Sequence, residues 1–368
     1  MESIFRFLPA VFAVGTEYQI FVPVNTGCVM WVRVGDNCYY DHSNGVLRSD
    51  TLLHKITVPQ CELDAARRYT VCYRIMIERK PYFSETSEIC EAEFGFDPLP
   101  DGRFTAYHIA DAHGMVDAPC AAAESFAREW GGIDMLILNG DVINHSNKLE
   151  YFDTFLAIAE RITHGTKPII FSRGNHDTRG IYAEKIADYS PTRGGFSYFT
   201  FRLGSLWGIV LDCGEDKPDT NEEYGGTNCC HAFRLDETAY LEGIASRANE
   251  EYAREGITHR VVIAHMPFTM KFSPPFNIEE DLYGRWTHLI GERIRPDALI
   301  SGHTHKLSIT RPGGERDAYG QSFPTVVASE PDTKGGKFIG GGFIFEKNGI
   351  RVVFTDENGT VAEHRIGE

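Results

Sequence analysis

Aspartates, histidines and one asparagine stand at the ends of short apolar runs in this chain. Their types and spacing suit the holding of metal ions. Ile109-Ala110 leads into Asp111-Ala112-His113, and the run MLILN leads into Gly140-Asp141. PIIFSR leads into Gly174-Asn175-His176-Asp177, RVVIA into His265, and DALIS into Gly302-His303-Thr304-His305. Open α/β sheets assemble their ligand sites at the carboxyl ends of strands. Five such runs therefore bring Asp111, His113, Asp141, Asn175, His265, His303 and His305 toward one place. Neutral imidazoles mixed with carboxylates suit Mn, Fe or Zn better than the all-oxygen shells of Ca. Seven donors are too many for one ion and fit two ions that share a carboxylate. In an extended segment residues i and i+2 project to one side, so Asp111 and His113 are expected to chelate together, and His303 and His305 to line one cavity. Gly140, Gly174 and Gly302 stand where backbone must turn sharply beside a crowded centre.

The elements that position these residues change character along the chain. The first hundred residues read as all-β. Tyr18, Ile20, Val22 and Val24 alternate at period two, as do Tyr69, Val71, Tyr73, Ile75 and Ile77. CVMWVRVG and HKITVPQ lie between them, separated by turn-rich stretches such as Asp41-His42-Ser43-Asn44-Gly45. Several short strands in a row predict a β-sandwich. The segment Phe96-Asp97-Pro98-Leu99-Pro100-Asp101-Gly102 breaks the pattern, so two domains are expected, 1–100 and 101–368. Beyond it, near-continuous apolar runs alternate with helix-like segments at 120–130, 148–163 and 235–255, which predicts an α/β domain with a sheet covered on both faces. FIGGGFIFE and IRVVFTD return to strand character near the end.

The ordered set D-x-H, G-D, G-N-H-D, H and G-H-x-H, over 104 to about 345, resembles the calcineurin-like metallophosphoesterases. That resemblance implies a four-layer αββα sandwich with a binuclear centre. Carried over by motif, Asp111, His113, Asp141 and His305 hold one metal. Asp141, Asn175, His265 and His303 hold the second, with Asp141 bridging. It further implies two divalent transition metal ions (Mn, Fe or Zn) and attack on a phosphate ester by a metal-bridging hydroxide. His176 matches the residue that meets the phosphate and leaving group, with Asp177 orienting it. Arg173, Arg179 and Arg193 lie near these motifs and offer an anion clamp, with Arg179 and Asn175 the substrate-binding candidates. The N-terminal sandwich resembles the fibronectin-III-like domain that precedes the catalytic domain in purple acid phosphatases. The motifs depart from the purple enzymes in carrying Asn144 where those place a tyrosine ligand and in having His113, so a ferric–tyrosinate centre is not expected.

Composition narrows the remaining choices. The chain has 368 residues, 42% hydrophobic and 24% charged, as in ordinary globular proteins. Its formal charge of −16 opposes broad nucleic-acid binding. No apolar run reaches the roughly 20 residues of a membrane span. Glu2 stands where a signal peptide carries a basic residue, so a cytoplasmic location and reduced thiols are expected for the nine cysteines. His108 reads as a packed strand residue, His145 as a loop residue, and His164, His259, His288 and His364 as surface or loop residues. Asp212–Lys217 reads equally as a capped turn or as a wall of the site. Three functions stay open: a phosphoesterase on a small organic phosphate, a cyclic or linear nucleotide phosphodiesterase, and a non-catalytic metal-binding scaffold. Oligomeric state stays open too.

Overall fold

The apolar runs that end in the motifs become the central strands of two facing sheets. The computed structural model describes residues 3–367. Phe104–Ile109, Met135–Asn139 and Pro168–Ser172 are buried along their whole length, as parallel strands covered on both faces must be. They lie side by side in a ten-stranded sheet. One edge is carried outward by the antiparallel strands Lys337–Glu346, Gly349–Asp356 and Gly359–Ile366. The second sheet has six strands, with Leu206–Leu211, His259–Ala264 and Ala298–Ser301 parallel at its centre. Helices Asp117–Trp130 and Asp153–Thr163 cover the outer face of the first sheet, and Cys230–Ser246 and Glu280–Leu289 that of the second. The layers are αββα.

The N-terminal β-rich region precedes the catalytic region along the chain and shares a sheet with it. Ala10–Val14 pairs in parallel with Pro168–Ser172, and Glu17–Pro23 and Leu53–Pro59 extend that edge. A separate five-stranded sheet built on Cys28–Val34 and Arg68–Glu78 packs over these strands. Tyr18, Ile20 and Ile56 on one side meet Met30, Val32 and Val71 on the other, in the same core as Ala106, Ile137 and Ile263. One layer of the N-terminal sandwich is thus the flank of the catalytic sheet. A short helix, Gln60–Ala66, interrupts the strands and ends at the left-handed Arg67. Alternation beforehand and after hides so short a helix in the sequence. His259, expected on a surface or loop, is a buried strand residue whose Nδ1 lies 3.2 Å from Asp297. All nine cysteines are free thiols. Among the described residues no helix is long and apolar enough to cross a membrane.

Phe12 tests the shared sheet. It is fully buried, packed edge-on against Phe21 at 4.8 Å and against Phe171 of the catalytic strand at 6.3 Å. Phe12→Ala is expected to cost about 3–5 kcal/mol. Thermal unfolding followed by a probe in the 104–367 region should shift with it. An unmoved catalytic transition would mean that the N-terminal strands fold by themselves.

Candidate metal centre

The motif loops leave the first sheet in step and stay bonded beyond the strands. Asp111 N donates to Gly140 O at 3.0 Å, His113 N to Asp141 O at 2.9 Å, and Gly114 N to Val142 O at 2.9 Å. In the second sheet Gly302 N donates to His265 O at 2.9 Å. Each loop then turns back toward the gap between the sheets. Asp111, His113, Asp141, His303 and His305 all adopt left-handed backbone, with φ of 56°, 47°, 52°, 71° and 52°. Such a conformation costs a non-glycine residue on the order of 1–3 kcal/mol, and it persists where the surroundings impose it. The D-x-H and H-x-H pairs therefore converge through turned backbone, not through the extended geometry their spacing suggests. An extended segment would carry the chain past the cavity. Close approach also explains Gly174 and Gly302: a Cβ on the first would strike the Asp141 carboxylate, and one on the second would strike Asp111 and Ala110.

All seven donor residues meet. Asp111, His113 and His305 offer ligand atoms within 4.8 Å of one another, and so do Asp141, His265 and His303. His113 and Asp141 form a third group with His176. Asn175 joins through its Oδ1, 3.0 Å from His303 Nδ1. His265 Nδ1 donates to Asn139 O at 2.7 Å, which turns Nε2 toward Asp141 Oδ2 at 3.2 Å and Asp111 Oδ1 at 3.7 Å. That Nε2 is buried and has no aligned hydrogen-bond partner, and the same holds for His113 Nδ1. His113 Nε2 and His305 Nε2 point at each other across 2.9 Å, with His305 Nε2 3.3 Å from Asp111 Oδ1. A buried imidazole nitrogen without a partner, aimed at two carboxylates as His265 Nε2 is, is the kind of donor a divalent transition metal completes. The residues present fit such ions.

Charge in the cavity is unbalanced without cations. Burial pulls the His265 imidazolium down, yet Asp141 and Asp111 outweigh it and raise the group to about 10. Burial holds His113 at about 4, and burial with the nearby His265 does the same to His303. Burial pushes Asp177 up to about 7, helped by the Asp141 carboxylate.

The second tier of residues departs from expectation. His176 lies at the edge of the centre, 4.8 Å between ring centroids from His113. Its Nδ1 sits 2.9 Å from Asn144 O. Asp177 faces the other way, accepting from Asp141 N at 3.0 Å and Gly174 N at 2.8 Å. Asp177 thus braces the backbone at Asp141, because the turn after Asn175 sends adjacent side chains to opposite sides. Arg179 is not a free clamp: its Nε and Nη2 bind Glu215 at 2.9 and 2.8 Å. Arg173 is spent on Asp212 at 2.7 Å, and Arg193 reaches Thr200. Two residues escape the sequence reading. Ser329 Oγ donates to Asp111, and the Asn139 side chain ties His108, Ala264 O and Ile300 O together beneath the site. Ser329 follows one more short apolar strand, Thr325–Val327, which is the available signal. Asn144 acts through its carbonyl, and Glu215, in the segment that reads equally as a turn or a wall of the site, through a buried carboxylate.

The titration state of His265 gives a test. At pH 7, below about 10, the imidazole carries a proton when no cation is bound. An ion seated on Nε2 displaces it. Metal loading at pH 7 is therefore expected to release about one proton per chain. Calorimetry in buffers of different ionisation enthalpy measures this, and no release would exclude His265 as a ligand.

Residues 104–307 match the family model of the calcineurin-like phosphoesterases. The fold is similar to that of the purple acid phosphatase PPD1 from yellow lupin (Lupinus luteus) seeds, with a TM-score of 0.58 and 11% identity, over 98% of this chain and 74% of that one. A cold-active protein-tyrosine phosphatase of a Shewanella psychrophile is matched at a TM-score of 0.34 and 10% identity, over 97% of this chain and 98% of that chain. No curated protein sequence matches the chain. With more than half of its length matched by the family, and its strand-end loops converging between two facing sheets, the chain belongs to the calcineurin-like phosphoesterases, hydrolases of phosphoric ester bonds.

Proposed function

We propose that the chain hydrolyses a phosphate ester at a centre of two divalent transition-metal ions. Asp111, His113, Asp141 and His305 would hold one ion, and Asp141, Asn175, His265 and His303 the other. One observation supports this reading: Asp141 belongs to two donor groups, one with His265 and His303 and one with His113 and His176, as a carboxylate between two ions would. Bound ions of this kind activate water and neutralise charge on the phosphoryl oxygens. The chain's own residues bind, orient and hold protons around them. Asn139 O fixes the His265 tautomer, Ser329 and His303 N hold Asp111, and His176 N holds Asp141 Oδ1 at 2.8 Å. Asn144 O takes up His176 Nδ1, which leaves Nε2 to meet the departing oxygen. Phe272 packs edge-on to His303, at 6.1 Å between centroids, and lines an adjoining cavity of about 710 Å³ where the organic part of an ester can lie.

The phosphodiesterase reading has an observation in its favour. A phosphomonoester presents two negative charges and profits from an arginine fork. Here the fork of Arg179 is occupied by Glu215, with Asp216 3.4 Å from Nη2. A singly charged diester needs less of such help. The scaffold reading has none, since no donor position is replaced.

Two outcomes follow for mutants. Reconstituted protein should hold close to two transition-metal ions per chain by elemental analysis, and chelation should abolish turnover of phosphate esters. Asp141→Ala should weaken both sites by at least the roughly 10–100-fold that even outer partners of a metal site command. Near-normal occupancy of both sites in that variant would refute the bridge.

For His176, leaving-group assistance is typically worth ~10²–10⁴-fold and matters most when the departing alkoxide is poor. His176→Ala should slow an alkyl phosphate ester far more than an activated aryl one, with metal content unchanged. Equal losses on the two substrates would assign the residue to loop structure alone.

A further inference from the structure

We propose that Glu215 is a positioning residue for the reaction, holding Arg179 against His176; this rests on the phosphoesterase reading above. Glu215 follows the strand Leu206–Leu211 and is fully buried. Its two oxygens accept from Arg179 Nε and Nη2, from Thr178 Oγ1 at 3.0 Å and from Tyr224 OH at 3.1 Å. Four donors satisfy a buried carboxylate and pin the guanidinium as a planar fork. The backbone beneath is held just as closely. Arg234, buried in helix Cys230–Ser246, donates to the carbonyls of Cys213 and Glu215, and Glu237 accepts from Asp212 N at 2.7 Å.

The remaining arm of the fork is what reaches the site. Arg179 Nη1 lies 3.3 Å from His176 Nε2. A guanidinium only donates, so Nε2 is the acceptor and Nδ1–H donates to Asn144 O. The imidazole is gripped at both nitrogens. To serve a departing oxygen Nε2 must first take a proton from solvent, which the half-buried ring can reach, and pass it to the leaving alkoxide. Arg179 can give way to that proton without leaving, because Nε and Nη2 stay on Glu215. The carboxylate thereby fixes the place of the ring before substrate arrives. A ring free to turn would lose the alignment that a positioned catalytic group supplies.

The test uses the zinc-loaded full chain. Glu215→Gln replaces one acceptor with an amide that opposes the guanidinium donors. It should lower kcat for an alkyl phosphate ester by about 10–100-fold, a loss of the size that misplacement of a reacting group produces. KM and zinc content should hold. In a His176→Ala background the same change should cost nothing further, since the group being positioned is gone. Arg179→Lys, which keeps the charge but not the fork, should reproduce the loss at a less buried position. An unchanged kcat, or losses that multiply in the double variant, would overturn the assignment. A second readout needs no turnover: the ¹⁵N shifts of the His176 ring should change on Glu215→Gln, and unchanged shifts would equally overturn it. If zinc-loaded wild-type chain hydrolyses no phosphate ester, the functional reading fails, and the ring shifts still decide the positioning claim.

Discussion

Two carboxylates buried in one cavity set the terms for the rest of this structure. Asp111 and Asp141 are both shut away from solvent, and each lies within reach of the other's field. Taking an ionised carboxylate out of water costs several kcal/mol even after relaxation. The chain offsets that cost with hydrogen bonds: His303 N and Ser329 on Asp111, His176 N on Asp141. It also surrounds the pair with imidazoles, of which His265 is raised until it carries the missing positive charge itself. A site that draws protons onto a histidine when it has no cation is one in which cations and protons compete for the same lone pairs.

Holding that cavity open requires backbone that would not form on its own. Five donor-bearing residues in left-handed conformation represent strain that must be imposed from outside the loops. The imposing structure is the pair of sheets, whose central strands run buried up to the point where the loops begin. The ladder from Asp111 to Val142 locks two loops to each other, so neither can relax alone. The N-terminal strands belong to this support. They pair with Pro168 and Ile169, at the start of the strand whose far end carries the Gly-Asn-His-Asp turn.

Much of this was legible in the sequence. Apolar runs ending in Asp, His or Asn mark the central strands and the seven side chains that the fold brings together, because burial on both faces restricts residue type severely. The N-terminal region was legible as strands but not as part of the catalytic sheet, since alternation at Tyr18–Val24 reports a half-buried strand and says nothing about its neighbour. The D-x-H spacing was read as extended, whereas sign of φ leaves no trace in an aspartate or histidine. The family resemblance assigns Asp177 to His176, but adjacency in the motif does not fix the direction of a side chain in a turn. Glu215 lies in the Asp212–Lys217 segment, which the sequence leaves open between a capped turn and a wall of the site, and Asn144 acts through a backbone carbonyl that any residue provides.

The distribution of charge links the site to what it attracts. The chain carries 52 acidic against 36 basic side chains, so its surface repels phosphate at long range. Three basic side chains near the centre are already committed, Arg179 to Glu215 and Asp216, Lys217 to Glu223, and Arg173 to Asp212. Those pairs set geometry and add little net positive potential. In the proposed centre, cations on Asp111, Asp141 and the imidazoles would concentrate the pull on an anionic ester at one point. An ester drawn to that point would be oriented by the same charges that activate it, while the net charge of −16 opposes the approach of polyanions at long range.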